Sequence, residues 1–462
     1  MSLSDRTVER VGELFARAEL GDPRLVRRAV GLAEGLARSP KQSLPQIWSS
    51  SAELEAGYRF LRNPRSDFEA LMEPVQQAAR EGALAAQSVL VLHDTTEVKC
   101  AAAEPDEVGF LQTGQAGFFV HHALCVSQRT RHPVGMLWSQ VWGRAQRSRG
   151  RSRNLSGSEL AKQKERESDR WLEGATEAQL WTEGCAEVVH VMDREADSFR
   201  LYEHLQALDG DFVVRMRHDR RTEQGRVSDF LQDAPVRLTR LVPLSRRSGK
   251  TMPRYTHHGR AAREAMLSVR SACVPMQPPP YLSGHEAVTL NVVWASEDAP
   301  PAGEKGVSWV LATTLDVSTP KELARVLDIY RTRWLIEEFH KALKTGCMFE
   351  KRQLESFESL TTLLAMSYPV ACELLRVRSR SRQQLPAREA LRESQLACLR
   401  AHPKARPLSD DPTAEEALAV IAGLGGHLKH NGPPGWETLA KGYVELLAFE
   451  RGWLAAMGQS AN

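Results

Sequence analysis

With 462 residues, 42% of them hydrophobic and 26% charged, the chain has the composition of a folded globular protein and is too long for one small core. A formal net charge of +3 is too small to identify a partner. Seven cysteines without a CxxC pair argue against structural zinc and for reduced thiols, and no apolar run approaches the roughly 18 residues that cross a bilayer. The opening "MSLSDRTVERVGELF" carries acids and no signal-peptide core, so the expectation is a cytoplasmic protein with no membrane partner.

Residues 1 to about 65 read as helical. In "LGDPRLVRRAVGLAEGLARSP", Asp22 suits an N-cap and Pro23 the first helical position. Leu25, Val26, Val30, Leu32, Ala33 and Leu36 then supply an apolar side, leaving Arg24, Arg27, Arg28 and Arg38 for solvent or phosphate. Near residue 88 the texture changes. "SVLVLHDTTEV" is a short apolar run, expected to be a buried strand closed by His93 and Asp94. "GFFVHHALCVS" and "PVGMLWSQVW" follow closely and predict an antiparallel meander. Residues 158 to 183 have helical spacing. "AEVVHVMDREAD" then repeats the earlier pattern, an apolar run closed by Asp193, and "DFVVRMR" adds another strand.

From about 220 to 315 the chain is turn-rich, with β-prone pieces such as "AVTLNVVWAS" and "VSWVLATTL" between proline clusters, and reads as a β-rich insertion. "YRTRWLIEEFHKALKTG", residues 330 to 346, is expected to be a single helix. On it Tyr330, Arg333, Glu337, Lys341 and Lys344 share a stripe roughly 80° wide, opposite an apolar side. That stripe is either a solvated face with Glu337–Lys341 as a stabilising pair, or a surface that holds a ligand. The last ninety or so residues look mostly helical. Two basic runs, "RAQRSRGRSR" (144–153) and "SRRSGKTMPR" (245–254), are solvated loops unless an anionic polymer meets them.

Asp94 and Asp193 each close an apolar run, and strand ends in α/β sheets are where side chains converge on ligands. With Glu337 they make three carboxylates from three elements. Hard divalent cations prefer such oxygens, and phosphoryl transfer needs charge neutralised at the attacked phosphorus. "HH" at 121–122 makes no obvious metal site, because adjacent strand residues point to opposite faces; 257–258 is treated alike.

The chain resembles the cut-and-paste DDE transposases of the bacterial IS four insertion-sequence group, in particular its transposon-five branch. The resemblance rests on "LGDPR", "EAGYRFLRNP", "HDTTEV", "DREAD" at 193–197 and the pattern Y-x2-R-x3-E-x6-K, met by Tyr330, Arg333, Glu337 and Lys344. It implies a ribonuclease-H-like α/β core at 66–370 with the β-rich insertion, an N-terminal helical domain (1–65) that binds DNA ends, and a C-terminal helical region (371–462) for dimerisation. Asp94, Asp193 and Glu337 would be both catalytic and metal-binding, with Mg2+ or Mn2+ as cofactor. Cleavage would pass through a DNA hairpin before the 3′ ends join target DNA.

By the same resemblance, Tyr330, Arg333, Lys344 and Lys341 would hold DNA beside the cut. Trp309 would stack on a flipped base, which compensates lost stacking. Arg215 would contact phosphate, and Arg28, Arg38 and Arg59 would contact the end sequence. The implied partners are double-stranded DNA and a second copy of the chain. The basic 144–153 run departs from the family's acidic stretch, and the match fades after about residue 375. A repressor without catalysis and a structure-selective nuclease on the same core remain the alternatives.

Overall fold

The computed structural model describes residues 5–48, 50–144, 157–244, 250–252, 255–257, 259–282, 284–381, 386–389, 391–428 and 434–457. Most of both basic runs, and His258, lie outside the described residues.

Four helices open the chain: Asp5–Ala16, Pro23–Arg38, Leu44–Ile47 and Ser51–Leu61. The second starts as its sequence dictates. Asp22 accepts a hydrogen bond from the Arg24 backbone N–H at 2.8 Å, Pro23 occupies the first turn, and Ala29, Leu32, Ala33 and Leu36 are buried.

The strands are β1 (Ser88–Lys99), β2 (Gly117–Ser127), β3 (Pro133–Trp142), β4 (Glu187–Met192), β5 (Asp211–Arg215), β6 (Arg221–Thr222), β7 (Gly225–Arg226), β8 (Leu238–Leu244), β9 (Lys250–Met252), β10 (Tyr255–His257), β11 (Arg263–Met276), β12 (Val288–Ser296) and β13 (Ser308–Thr313). Nine of them form one mixed sheet in the order β3-β2-β1-β4-β5-β13-β12-β11-β8. β1, β2 and β3 are the antiparallel meander foreseen from their spacing, while β4 joins β1 in parallel and β5 joins β4 in parallel. A parallel neighbour needs a crossover, and the helix Gly157–Trp181 lies between β3 and β4 in the chain. The result is an α/β, ribonuclease-H-like mixed-sheet core with helices at both ends of the chain. The strands between residues 238 and 313 extend this sheet through β13, which pairs with β5.

Alternation along β1 decides what each face sees. Val89 and Val91 pack with Ala79, Ala83, Ala123 and Ala178, whereas Leu90 and Leu92 join the larger core with Ile336, Phe339 and the helix Phe357–Ser381. Asp94 has the parity of Leu90 and Leu92. It is therefore on the side that carries Glu337.

Three sequence expectations change. Asp94 does not end its strand: β1 runs on to Lys99 along β2, and what stops at Leu92 is the parallel pairing with β4. β4 itself ends at Met192, so the two strands part at Asp94 and Asp193. Nor is 330–346 a single helix. One helix, Pro320–Thr332, ends before Arg333; a second, Trp334–Lys341, carries Glu337; and a π turn, Ala342–Gly346, carries Lys344. Finally, residues 357–379 are long and apolar enough to cross a membrane, contrary to the sequence reading, but the apolar window within them is 89% buried inside the fold.

The C-terminal part adds helices Glu393–Ala401, Ala414–Leu424 and Trp436–Ala456.

Candidate active site

Each acid is delivered by a different element. Asp94 comes from β1, past the point where β4 leaves it. Asp193 follows β4 directly, and its Oδ1 accepts the Glu195 backbone N–H at 2.7 Å, which fixes the turn. Glu337 is in the first turn of Trp334–Lys341 and accepts from the Arg333 guanidinium at 2.7 Å.

Electrostatics tie them together. The Asp94 carboxyl is pushed up to about 7, first by burial, then by the charge of Asp193, with Arg333 opposing and Glu337 adding to the rise. The Arg333 guanidinium is held more firmly protonated than usual: burial works against its charge, but Tyr330, the Glu337 hydrogen bond and Asp94 outweigh it. Lys344 donates to Thr96 Oγ1 at 2.7 Å, two residues beyond Asp94 on the same face, and burial lowers its pKa against the pull of Glu350, Glu97 and Asp94. Asp94 therefore lies within electrostatic reach of Asp193, Glu337 and Arg333 at this corner, with Lys344 beside it.

All three acids offer carboxylate oxygens, the donor chemistry of a hard cation. Yet no three of His, Cys, Asp or Glu among the described residues come close enough to hold an ion as they stand. The two facts agree physically. Charges act on one another across several ångströms, whereas coordination needs contacts of about 2 Å. In this conformation Glu337 is committed to Arg333 instead.

The other predicted residues divide. Tyr330 is buried, with its ring edge-on to Trp309 at 5.7 Å between centroids, so these two do meet. Lys341 turns away from Glu337: it donates to Glu338, three residues back on the same helix, at 2.8 Å and lies over the exposed Trp334 ring. Arg215 is on β5 and donates to the Ser308 carbonyl at 3.3 Å. Arg28 and Arg38 are partly buried on Pro23–Arg38, while Arg59 is exposed and paired with Glu55.

Sequence reading missed a cleft of about 880 Å³ beside the acids. Thr95, Thr96, Arg194 and Glu195, the neighbours of Asp94 and Asp193, line one part, and Arg170, Arg217 and Arg221 line others. Arg170 is stacked 3.6 Å above the Trp142 ring. At the cleft wall Asp197 is fully engaged, accepting from Arg217 N, His218 N and the Arg220 guanidinium, which holds the 217–220 loop in shape. The arginine density of "RMRHDRR" (215–221) was the available signal, of which only Arg215 was singled out.

Two family descriptions match the chain: "Transposase DNA-binding" over residues 11–66 and "Transposase DDE domain" over residues 162–369. The first span contains Arg28, Arg38 and Arg59; the second contains Asp193, Glu337 and the Tyr330–Lys344 motif, while Asp94 precedes it. Together with the ribonuclease-H-like sheet and the acids where its parallel strands part, these matches support a DDE-type transposase domain over 162–369 with a transposase DNA-binding domain ahead of it.

Proposed function

We propose that the protein is a cut-and-paste transposase of the IS four group that excises its element through a hairpin intermediate and joins the 3′ ends to target DNA. The observation that carries this is Asp94 at the parting of β1 and β4, within electrostatic reach of Asp193 and of the Arg333–Glu337 pair and next to an arginine-lined cleft. Asp94, Asp193 and Glu337 would hold Mg2+ or Mn2+, with Glu337 exchanging its Arg333 contact for the ion. The cation, when bound, supplies neutralisation of charge at phosphorus and a more acidic attacking oxygen.

The chain's own residues do the rest. Arg333, released from Glu337, pairs with a phosphate as a bidentate donor. Lys344 adds a point charge from a largely dry position. Trp309 and Tyr330 offer adjoining aromatic surface for a base taken out of the stack, and the cleft arginines carry the backbone alongside. Arg28, Arg38 and Arg59 sit in the DNA-binding segment and would serve end recognition; Arg215 would add a phosphate contact. The last helix leaves Val444 and Trp453 exposed, with Met457 exposed just past its end, which supports pairing with a second copy.

The test uses the full chain with magnesium and duplex DNA bearing its element's terminal sequence. Wild type should give hairpin and double-strand-break products and then strand transfer into a supercoiled plasmid. Asp193→Ala should keep end binding and lose at least a hundredfold in cleavage, within the range expected for removing an essential group. Undiminished cleavage by Asp193→Ala would remove that residue from the site. Cutting without end preference or joining would indicate a nuclease instead.

A further inference from the structure

We infer that His340 is a positioning residue for Asp94, aimed by a hydrogen-bonded relay that runs through His122 and Tyr368 to Ser139. The inference rests on the reading of Asp94 as a reacting carboxylate.

The relay follows from register. Asp94 is directly opposite His122 on β2, and His122 is directly opposite Ser139 on β3, so the three side chains form a row on one sheet face. Two helices cover that row. Trp334–Lys341, which carries Glu337, contributes His340; Phe357–Ser381 contributes Tyr368. Ser139 Oγ is 2.7 Å from the Tyr368 hydroxyl, the hydroxyl is 3.1 Å from His122 Nε2, and His122 Nδ1 is 3.1 Å from His340 Nε2. His340 Nδ1 then faces Asp94 Oδ2 at 3.9 Å, about 0.9 Å beyond a hydrogen bond. His122 and Tyr368 are fully buried and His340 nearly so.

Donor and acceptor counting ties the direction of the relay to the charge on Asp94. Burial keeps both imidazoles neutral, so each has one N–H and one acceptor nitrogen. An ionised Asp94 can only accept. His340 therefore presents Nδ1–H to it and accepts at Nε2 from His122 Nδ1–H; His122 in turn accepts from Tyr368 O–H, and Tyr368 from Ser139 O–H. With Asp94 ionised, every proton in the chain points toward it; with Asp94 protonated, the same three hydrogen bonds run the other way. The opposite face gives the contrast. There His93 meets His190 and His121 meets Thr95, yet His93 Nδ1 and His121 Nε2 have no hydrogen-bond partner. In the row behind Asp94, the three links from Ser139 to His340 are all within hydrogen-bond distance.

Carboxylates that act on ions are themselves oriented by hydrogen bonds, and losing such a partner costs about 10–100-fold in affinity or activity. The amides separate this role from packing. Asparagine places its N–H where Nδ1–H was, whereas glutamine reproduces Nε2. His340→Asn should keep single-turnover cleavage within about threefold of wild type, and His340→Gln should lose about 10–100-fold. Both should bind end DNA as wild type does, so the rate falls without a rise in KM.

Tyr368→Phe, which touches the relay two links away, should lower the rate several-fold with a thermal midpoint close to wild type. Equal losses in the asparagine and glutamine variants, or wild-type rates in both His340→Gln and Tyr368→Phe, would overturn the inference. Asp94→Asn run alongside keeps the two readings apart. If it cleaves normally, the carboxylate assignment fails; if it is inactive while His340→Gln is not, only the relay fails.

Discussion

Asp94 carries a cost that can be measured without DNA. Its carboxyl has an ordinary value of 3.8 and is pushed up to about 7 in the fold. Below pH 3.8 both folded and unfolded chains hold the proton, and Asp94 contributes nothing. Between about pH 4 and 7 only the folded chain holds it, so stability falls as pH rises; above about pH 7 the deficit is complete, at a few kcal/mol. With divalent cations chelated, Asp94→Asn should therefore melt above wild type at pH 8 and match it at pH 4. A midpoint difference independent of pH would contradict the coupling. Glu337 and Lys341 make a second residue-scale contrast. Helical spacing put both on one stripe, but Glu337 turns to Arg333 and Lys341 to Glu338, four and three residues away along the chain. Spacing fixes which partners are in reach, and local charge selects among them.

At the scale of elements, the broken helix matters most. Tyr330, Arg333, Glu337 and Lys344 were legible as a motif, but the interruptions were not. At Arg333 the dihedrals stay helical (φ −47°, ψ −34°) while its N–H reaches the Arg331 and Tyr330 carbonyls, short of the one four residues back. Past Lys341 the ladder widens to a π turn, a form frequent at functional sites, ending at Gly346 beside Leu374 and Trp436. Trp436, the first residue of the last helix, donates to the buried Glu338 at 2.9 Å, so C-terminal packing bears directly on the helix that carries Glu337. That last helix lies very close to its neighbour Ala414–Leu424: a Cβ on Gly442 would come within 1.7 Å of the Ile421 carbonyl oxygen. Gly442→Ala should cost about 1–3 kcal/mol, the usual range for overpacking. Amide exchange should show the loss first in these two helices; unchanged protection there would mean they separate at little cost.

Across the whole molecule, one buried cation joins the N-terminal helices to the core. Arg352 donates to the carbonyls of Gln42 at 2.6 Å, Pro40 at 2.9 Å and Cys347 at 2.9 Å, and is 5% exposed. Charge-assisted bonds in a dry place are costly to lose, so Arg352→Met should remove about 3 kcal/mol in urea unfolding and make the 40–43 connection sensitive to protease. Wild-type resistance there would show that apolar packing alone holds the two parts together. Arg10, paired with Glu373 at 2.5 Å, adds a more exposed link between the same regions.

The sequence alone determined the periodic elements, the Asp22–Pro23 helix start, the antiparallel meander and the acids worth watching. Each of these depends on near neighbours in the chain, where residue type fixes the local preference. Tertiary structure alone decided that β1 continues past Asp94 while its pairing with β4 stops. It also decided that His121 and His122, set aside as a pair, enter separate networks on opposite faces. Those outcomes depend on partners brought together from up to 246 positions apart, as His122 and Tyr368 are, and contacts at that range leave no period in the sequence to read.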